Sequence, residues 1–206
     1  MKRITILITG ATGFIGKHLV LTLQTPSLQR HYNVLCLVRK PISSPFVLGS
    51  LENKDTLLRA TNNVDYVIHL ASQTRSSDKN LNYVTNVIGT KNLIEACKEN
   101  NVKRFIYAGT VNAGLRKRGV YGESKKQAEV LVKKSGLDYV ILKLNMVYGI
   151  GDSNLSKTIT LAKKLPIVPV VGNGNQKMQP VYVDDVVDTL LRCLKVKTFN
   201  SKVYNI

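Results

Sequence analysis

Tryptophan is absent from this chain of 206 residues, and cysteine is scarce, with Cys36, Cys97 and Cys193 as its three representatives. Each cysteine stands alone, without a second cysteine or a histidine at a metal-binding spacing. The sequence therefore predicts neither a metal site nor a disulfide framework. Each cysteine also lies in an apolar stretch, which favours a small buried thiol in a reducing compartment.

Apolar runs long enough to cross a membrane are also lacking. The longest runs, such as Ile4–Ile8 and Val64–Leu70, have the length of strands. They fall well short of the roughly 20 residues that a membrane helix needs. Met1–Arg3 leads directly into the first run, which leaves no room for the apolar part of a signal peptide. We therefore expect a cytoplasmic protein without a membrane partner.

Acidic residues are few. The chain has 13 of them against 30 lysines and arginines, a net charge of +17. Such an excess can indicate nucleic-acid or membrane binding. The basic residues, however, are spread along the chain without interleaved aromatics or a nucleic-acid-binding motif. We expect a lysine-rich surface that attracts small anions, and no specific nucleic-acid partner. A salt-sensitive association with RNA or a membrane is kept as a third hypothesis.

Short apolar segments alternate with segments of helical periodicity. Ile4–Thr9 is rich in β-branched residues, as is typical of a buried parallel strand, and Phe14–Gln24 follows with helical spacing. The other predicted strands are Asn33–Val38, Val64–Leu70, Lys103–Tyr107, Tyr139–Leu144 and Val203–Ile206. The other predicted helices are Glu52–Ala60, Leu81–Glu99, Ser124–Ser135, Ser156–Leu165 and Asp184–Leu194, the last capped by Asp184 or Asp185. Repeated units of this size predict an α/β fold with a doubly wound parallel sheet, the Rossmann fold.

Three glycines fall between the first strand and the first helix. Gly10 permits a tight turn, Gly13 lets a pyrophosphate approach the backbone, and Gly16 lets the helix pack closely on the strand. The start of the helix offers free N–H groups and the positive end of its dipole to phosphates. This context predicts a dinucleotide site, against the alternative of a glycine-rich turn without a ligand.

The dinucleotide motif suggests a division of the chain. We expect residues 1–148 to form a dinucleotide-binding Rossmann domain. Residues 149–182, rich in glycine, proline and asparagine around one helix, are expected to form an excursion on the substrate side. Residues 183–206 are expected to return to the sheet.

The residue after the second strand decides between NAD and NADP. An acidic residue there would accept hydrogen bonds from the ribose hydroxyls, but this chain has Arg39 and Lys40. Two cations can pair with a 2′-phosphate, which favours NADP over NAD. The alternative is an exposed basic pair at a strand end.

Seven motifs occur in an order that covers essentially the whole chain. They are Thr9–Gly16, Asp65–Ser72, Asn86–Leu93, Arg104–Thr110, Tyr121–Lys125, Val147–Gly149 and Pro180–Asp185. In this order they resemble the extended short-chain dehydrogenase/reductase family, the NAD(P)-dependent epimerases and dehydratases that act mainly on nucleotide sugars. The resemblance implies hydride transfer between the nicotinamide cofactor and a hydroxyl or keto carbon. That transfer is transient in an epimerase or dehydratase and net in a reductase.

The resemblance also implies catalytic residues. Tyr121 and Lys125 match the family's Tyr-xxx-Lys pair, and this spacing puts them one helical turn apart. A tyrosine of pKa about 10 is a poor base near pH 7. A neighbouring ammonium and the positive nicotinamide would lower that pKa, so that the phenolate can take a hydroxyl proton. Thr110 stands where the family places the hydroxyl partner of the substrate oxygen, although it can also simply cap or turn the chain.

A larger set of residues is implied to bind the cofactor. The set is Gly10, Thr12, Gly13, Phe14, Ile15, Gly16, Arg39, Leu70, Ala71, Ser72, Asn86 and Lys125. Asn86 has the alternative role of a residue that starts a helix. His69 is expected to make local hydrogen bonds in its strand and not to act as a catalyst.

The chain departs from the family pattern in ways that affect the substrate. Ten residues separate Thr110 from Tyr121, fewer than usual, and Met178 stands where many relatives carry an arginine for the substrate diphosphate. Lys177 offers a substitute charge. Because the chain stops soon after the helix of Asp184, we expect a small, incomplete C-terminal substrate lobe. A non-catalytic NADP(H)-binding sensor or accessory subunit is the second hypothesis, and the resemblance also implies that two copies can form a homodimer.

Overall fold

The computed structural model describes residues 3–152, 155–165, 173, 175 and 177–206. Its strands are β1 (Ile4–Thr9), β2 (Tyr32–Val38), β3 (Phe46–Leu48), β4 (Tyr66–His69), β5 (Arg104–Thr110), β6 (Tyr139–Leu144), β7 (Val147–Tyr148), β8 (Val181–Tyr182) and β9 (Lys202–Asn205). Seven of them form one sheet in the order β3-β2-β1-β4-β5-β6-β9, and every neighbouring pair is parallel. β7 and β8 pair with each other.

The helices connect these strands across both faces of the sheet. They are α1 (Phe14–Leu23), α2 (Pro26–Gln29), α3 (Lys54–Thr61), α4 (Lys79–Asn82), α5 (Gly89–Glu99), α6 (Val120–Lys133), α7 (Leu155–Lys164) and α8 (Val183–Lys195). A π-helical segment (Tyr83–Ile88) joins α4 to α5, and a 3-10 turn (Val111–Gly114) follows β5. The predicted doubly wound parallel sheet is confirmed.

Two buried apolar clusters lie on the two faces of the sheet. Successive residues of a strand point to opposite faces. In β1, accordingly, Ile6 and Ile8 join the cluster that contains the buried side chains of α1 and α8. Leu7 joins the cluster with those of α3, α5 and α6. The three cysteines are buried in these clusters, as predicted.

The strand order reverses between β1 and β4. From β1 the chain continues outward through β2 and β3, and it then returns to β4 on the other side of β1. Connections that leave in opposite directions open a crevice at the carboxyl ends of these two strands, which is where ligands bind in sheets of this kind. The turn that carries Gly10, Gly13 and Gly16 lies at this point.

The predicted start of α6 was wrong, in a way that matters for the site. The helix begins at Val120, not at Ser124, so Tyr121 and Lys125 both lie inside it. The hydroxyl of Ser124 donates to the carbonyl of Tyr121 within the helix, at 2.9 Å. Such a side-chain hydrogen bond back to the preceding turn lets a serine lie inside a helix.

One further local prediction was wrong. Neither Asp184 nor Asp185 caps α8, because the helix begins at Val183 with Tyr182 as its cap residue. The two aspartates occupy the first turn, where the helix dipole favours negative charge.

The segment 149–182 lies partly outside the described residues, which omit 153–154, 166–172, 174 and 176. Within the described part, the helix expected near Ser156 is present as α7. At the end of the chain, β9 adds to the sheet beside β6. The division of the chain into three parts stays a prediction. Among the helices of the described ranges, none has both the length and the hydropathy needed to cross a bilayer.

We expect Gly16→Ala to lower the free energy of unfolding by about 1–3 kcal/mol, because overpacking forces the backbone apart. A Cβ at this position would collide with the carbonyl oxygen of Gly10 and lie 2.8 Å from Ala11 Cα. Gly114→Ala is the matched control, since a Cβ there meets nothing within 4 Å. Urea denaturation measures both, and equal stability of the two variants would contradict the close packing at Gly16.

Candidate active site

Two cavities meet at the glycine turn. The larger, of about 550 Å³, extends toward β5, β6 and α6, and the smaller, of about 370 Å³, extends toward the end of β2. Gly10, Gly13, Leu70 and Ser72 line both cavities. The turn after β1 and the loop after β4 therefore form a wall that the two cavities share.

The glycine turn presents backbone N–H groups to this wall. Gly10 has a φ of +76°, and a Cβ there would lie 2.5 Å from the amide nitrogen of Ala71. Gly13 donates its N–H to the carbonyl of Gly10 at 3.0 Å and is the cap residue of α1. No side chain caps this helix, and its first turn holds no acidic residue. Its first N–H groups are therefore available to an anion.

A chain of hydrogen bonds joins β1 to β4 beneath the turn. The N–H of Ala71 donates to Thr9 Oγ1 at 3.3 Å, and Thr9 Oγ1 lies 2.6 Å from His69 Nδ1. On the other side of the ring, His69 Nε2 lies 2.9 Å from Thr90 Oγ1, which donates to the carbonyl of Asn86 at 2.7 Å. Because Thr90 gives its one hydroxyl proton to Asn86, a neutral His69 completes the chain by donating at Nε2 and accepting at Nδ1.

His69 is a neutral residue of the framework. Burial, together with the nearby charge of Lys125, lowers the pKa of His69 to about 3. His69 lines neither cavity. These are the local hydrogen bonds that the sequence predicted.

Three hydroxyl groups converge on the larger cavity. The Tyr121 hydroxyl lies near the side chains of Thr110 and Ser72, which act to lower its pKa, and all three residues line the cavity. Thr110 Oγ1 also accepts from the N–H of Asn112 at 3.3 Å, so it caps the 3-10 turn as well. Thr110 therefore lies in the wall of the cavity and also caps the turn, the two positions that the sequence suggested for it.

Burial raises the pKa of Tyr121, although the nearby side chains of Thr110 and Ser72 oppose the rise. The sequence argument expected Lys125 and a bound cofactor to lower this pKa. In the chain alone, burial outweighs the neighbouring groups. Tyr121 is therefore a neutral phenol near pH 7 in this structure. The lowering by Lys125 and a bound cofactor stays a prediction.

Lys125 lies in the wall of the larger cavity with its side chain 3% exposed. Its ammonium donates to the carbonyl of Ala108 at 2.7 Å and lies 4.1 Å from the centroid of the Tyr107 ring. Burial lowers the pKa of Lys125 to about 7, while the charge of Glu129 acts to raise it. The amine is thus close to its titration point at neutral pH.

Asn86 lies in the π-helical segment and holds the loop after β4. Its Oδ1 accepts from Ser72 Oγ at 3.0 Å and from the N–H of Gln73 at 2.7 Å. Its Nδ2 donates to the carbonyl of Gln73 at 3.0 Å and to Ser124 Oγ at 2.9 Å. This amide therefore positions Ser72 on the loop and Ser124 on α6, the two neighbours of Tyr121.

The structure brings nearly all of the predicted site residues together. The larger cavity is lined by Gly10, Gly13, Phe14, Ile15, Gly16, Leu70, Ser72, Thr110, Tyr121 and Lys125. The smaller cavity is lined in addition by Thr12, Arg39 and Ala71. Asn86 is the one predicted residue that lines neither. Its contact with a cofactor stays a prediction.

Sequence reasoning missed several residues of the walls. Among them, Arg75 lines the larger cavity and Glu52 the smaller one. Lys177, which the sequence offered as a substitute charge, also lines the larger cavity. Arg75 comes three residues after Ser72 on the same loop, which was the available signal. The charged residues among the described lining of the larger cavity are Arg75, Lys125 and Lys177, all cations. This cavity therefore favours an anionic ligand.

Comparisons with known proteins agree with this geometry. The model of the family described as "NAD dependent epimerase/dehydratase family" matches residues 6–206. The dTDP-D-glucose 4,6-dehydratase of Dictyostelium discoideum is 27% identical over 98% of this chain and 57% of its own length. The UDP-glucose 4-epimerase of Vibrio cholerae is also 27% identical, over 92% of this chain and 66% of its own length. The chain thus spans less than two thirds of either relative.

A solved structure shows the same arrangement of strands and helices. It is the UDP-glucuronic acid 4-epimerase of Bacillus cereus in complex with UDP-glucuronic acid and NAD. The TM-score is 0.84 at 26% identity, and the match covers 98% of this chain and 77% of that one.

We expect His69 to make the protein less stable in acid. The unfolded chain binds a proton at this histidine below about pH 6.5, whereas the folded protein binds it only near pH 3. As the pH falls from 6.5 to 5, wild type should therefore lose about 2 kcal/mol more unfolding free energy than His69→Gln, which cannot titrate. Urea denaturation at several pH values measures this. A constant difference between the two proteins across that range would show that His69 is protonated in the fold.

Proposed function

The chain belongs to the NAD-dependent epimerase/dehydratase family, and we propose that it transfers hydride between a nicotinamide dinucleotide and a hydroxyl or keto carbon of a nucleotide sugar. One observation carries the proposal: Tyr121, Thr110 and Lys125 converge on the same cavity that the glycine turn lines. Acid–base groups and a phosphate-binding turn thus face one space.

The residues of the two cavities fit a dinucleotide. The free N–H groups of the glycine turn lie where the cavities meet, and they suit a pyrophosphate. The smaller cavity, with Arg39 and Ser50 in its wall, would take the adenosine half, and the larger would take the nicotinamide half beside Lys125. When bound, the cofactor supplies the carbon that accepts and returns hydride.

Tyr121 is the proposed acid–base group. Its Oη would take the proton from the substrate hydroxyl as the C–H bond breaks and would return it in the reverse step. Because burial raises its pKa, the phenolate needs positive charge nearby, and Lys125 supplies it from one helical turn away. Thr110 would hold the substrate oxygen, while Ser72, fixed by Asn86, would orient the phenol.

The charges of the larger cavity support an anionic substrate. Arg75 and Lys177 line it, and the described residues of its wall include no carboxylate. A diphosphate linked to a sugar offers the complementary charge. The matched relatives are named for dTDP- and UDP-linked sugars, which share this diphosphate. The homodimer implied by the resemblance stays a prediction.

We expect Tyr121→Phe to reduce turnover by roughly 10²–10⁴-fold, because it removes the proton carrier and leaves the ring in place. Oxidation of UDP- and dTDP-sugars by the bound cofactor, followed by absorbance, measures the activity. Binding of the reduced cofactor, followed by fluorescence titration, should stay within a few-fold of wild type. Tyr204→Phe, on the exposed face of β9, is the control for the loss of a tyrosine hydroxyl. Cofactor binding without turnover in wild type would instead favour the non-catalytic sensor.

We also propose that the protein prefers NADP to NAD. Arg39 lines the smaller cavity, where its guanidinium can pair with a 2′-phosphate. Arg39→Ala should weaken binding of NADPH by roughly 10-fold or more, the effect of losing one hydrogen bond to a charged group, and leave NADH binding nearly unchanged. Lys40→Ala is the control, because Lys40 lines neither cavity. Tighter binding of NADH than NADPH by wild type would overturn the preference and leave the proposed reaction intact.

A further inference from the structure

Four polar residues recur at every fourth position along α6. They are Tyr121, Lys125, Glu129 and Lys133. Residues four apart lie one turn apart on the same side of a helix. This side of α6 therefore carries a phenol, an ammonium, a carboxylate and a second ammonium in succession, and the mechanism above uses only the first two.

Glu129 is a carboxylate held inside the protein. It is 1% exposed, with Oε1 2.6 Å from the Nζ of Lys133 and Oε2 3.2 Å from the Nζ of Lys143 on β6. Burial alone would raise the pKa of Glu129, but the hydrogen bond from Lys133 and the charges of Lys133 and Lys143 outweigh burial and lower it. Glu129 therefore stays ionised at neutral pH, fixed between a helix and a strand.

Lys125 needs such a negative charge. A buried ammonium without a compensating charge costs several kcal/mol. The direct contacts of its Nζ are the neutral carbonyl of Ala108 and the face of the Tyr107 ring. These two contacts reduce the free-energy cost of burying the ammonium, but they do not cancel it.

The other titratable groups around Lys125 bring no negative charge. His69 on β4 is neutral, since burial lowers its pKa to about 3. Tyr107 on β5 is a neutral phenol, because burial raises its pKa, as do the neighbouring Tyr121 and Glu129 to a lesser extent. Tyr121 is itself a phenol whose pKa burial raises. Glu129, one turn along α6, supplies the negative charge that acts to raise the pKa of Lys125.

We propose that Glu129 is a positioning residue for the reaction: its carboxylate, fixed by Lys133 and Lys143, keeps Lys125 charged inside the site so that Lys125 can act on Tyr121. The inference rests on the roles of Tyr121 and Lys125 in the proposed function. Glu129 itself lines neither cavity and acts only through Lys125.

The test is the titration of Lys125, followed by NMR of protein with ¹³C-labelled lysine side chains and assigned with Lys125→Arg. Glu129→Gln keeps the shape of the side chain and its ability to accept from Lys133, but it removes the charge. The midpoint of the Lys125 titration should fall by about one pH unit, because the ammonium loses its opposite charge. Glu123→Gln on the same helix removes an exposed carboxylate that pairs with Arg118, and it should leave the midpoint in place.

A second variant separates an electrostatic effect from a structural one. Lys143→Gln removes a cation and leaves the carboxylate, so the midpoint should stay in place or rise. A disturbance of packing would give no such difference in sign between the two variants. An unchanged midpoint of the Lys125 titration in folded Glu129→Gln would overturn the proposal. If Glu129→Gln does not fold, a lower midpoint in Lys143→Gln would overturn it instead.

The titration needs neither cofactor nor substrate, so it can be read even if the proposed reaction fails. Once turnover has been measured, Glu129→Gln should also shift the alkaline limb of the pH profile of kcat to lower pH, by the same amount as the NMR midpoint. Turnover without that movement would leave the reaction standing and remove Glu129 from it.

Discussion

The hydrogen bond from Thr9 Oγ1 to His69 Nδ1 ties β1 to β4 at the one place where the order of strands reverses. The loops that leave these two strands carry the glycine turn on one side and Ser72 on the other. Both cavities, and therefore both halves of a dinucleotide site, depend on the spacing of these loops. A neutral imidazole held at both nitrogens fixes that spacing at low cost, since it brings no charge into the core.

Burial is the common cause of the electrostatic properties of the site. It raises the pKa of Tyr121 and lowers that of Lys125, so it favours the uncharged form of both groups. Each added charge then has a large effect, because little water is present to screen it. A positively charged ligand next to Tyr121 would move its pKa toward neutrality, and a carboxylate behind Lys125 moves that of the amine upward. The protonation states of Tyr121 and Lys125 therefore depend on which charged groups lie next to each of them.

The residues that line the cavities were more predictable than the framework that holds them. β1 and the glycine turn follow from an apolar run and three glycines, and the pair Tyr121–Lys125 follows from its spacing within a set of ordered motifs. The start of α6, the π-helical segment and the wall residue Arg75 were missed, because tertiary contacts decide them. Glu129 shows the limit most clearly. A glutamate four residues before a lysine is typical of a solvated helix surface. It becomes a buried charge only because β6 places Lys143 against it.

The π-helical segment constrains the length of the chain between β4 and α5. A π turn holds one more residue than an α turn, and this extra residue sets the direction in which Asn86 faces. Removal of a single residue there would restore a regular α-helix but rotate everything before it by roughly 100°, which would take the amide away from Ser72. Changes in length during the divergence of such proteins are better tolerated at residues 115–119, where the chain is exposed between the 3-10 turn and α6.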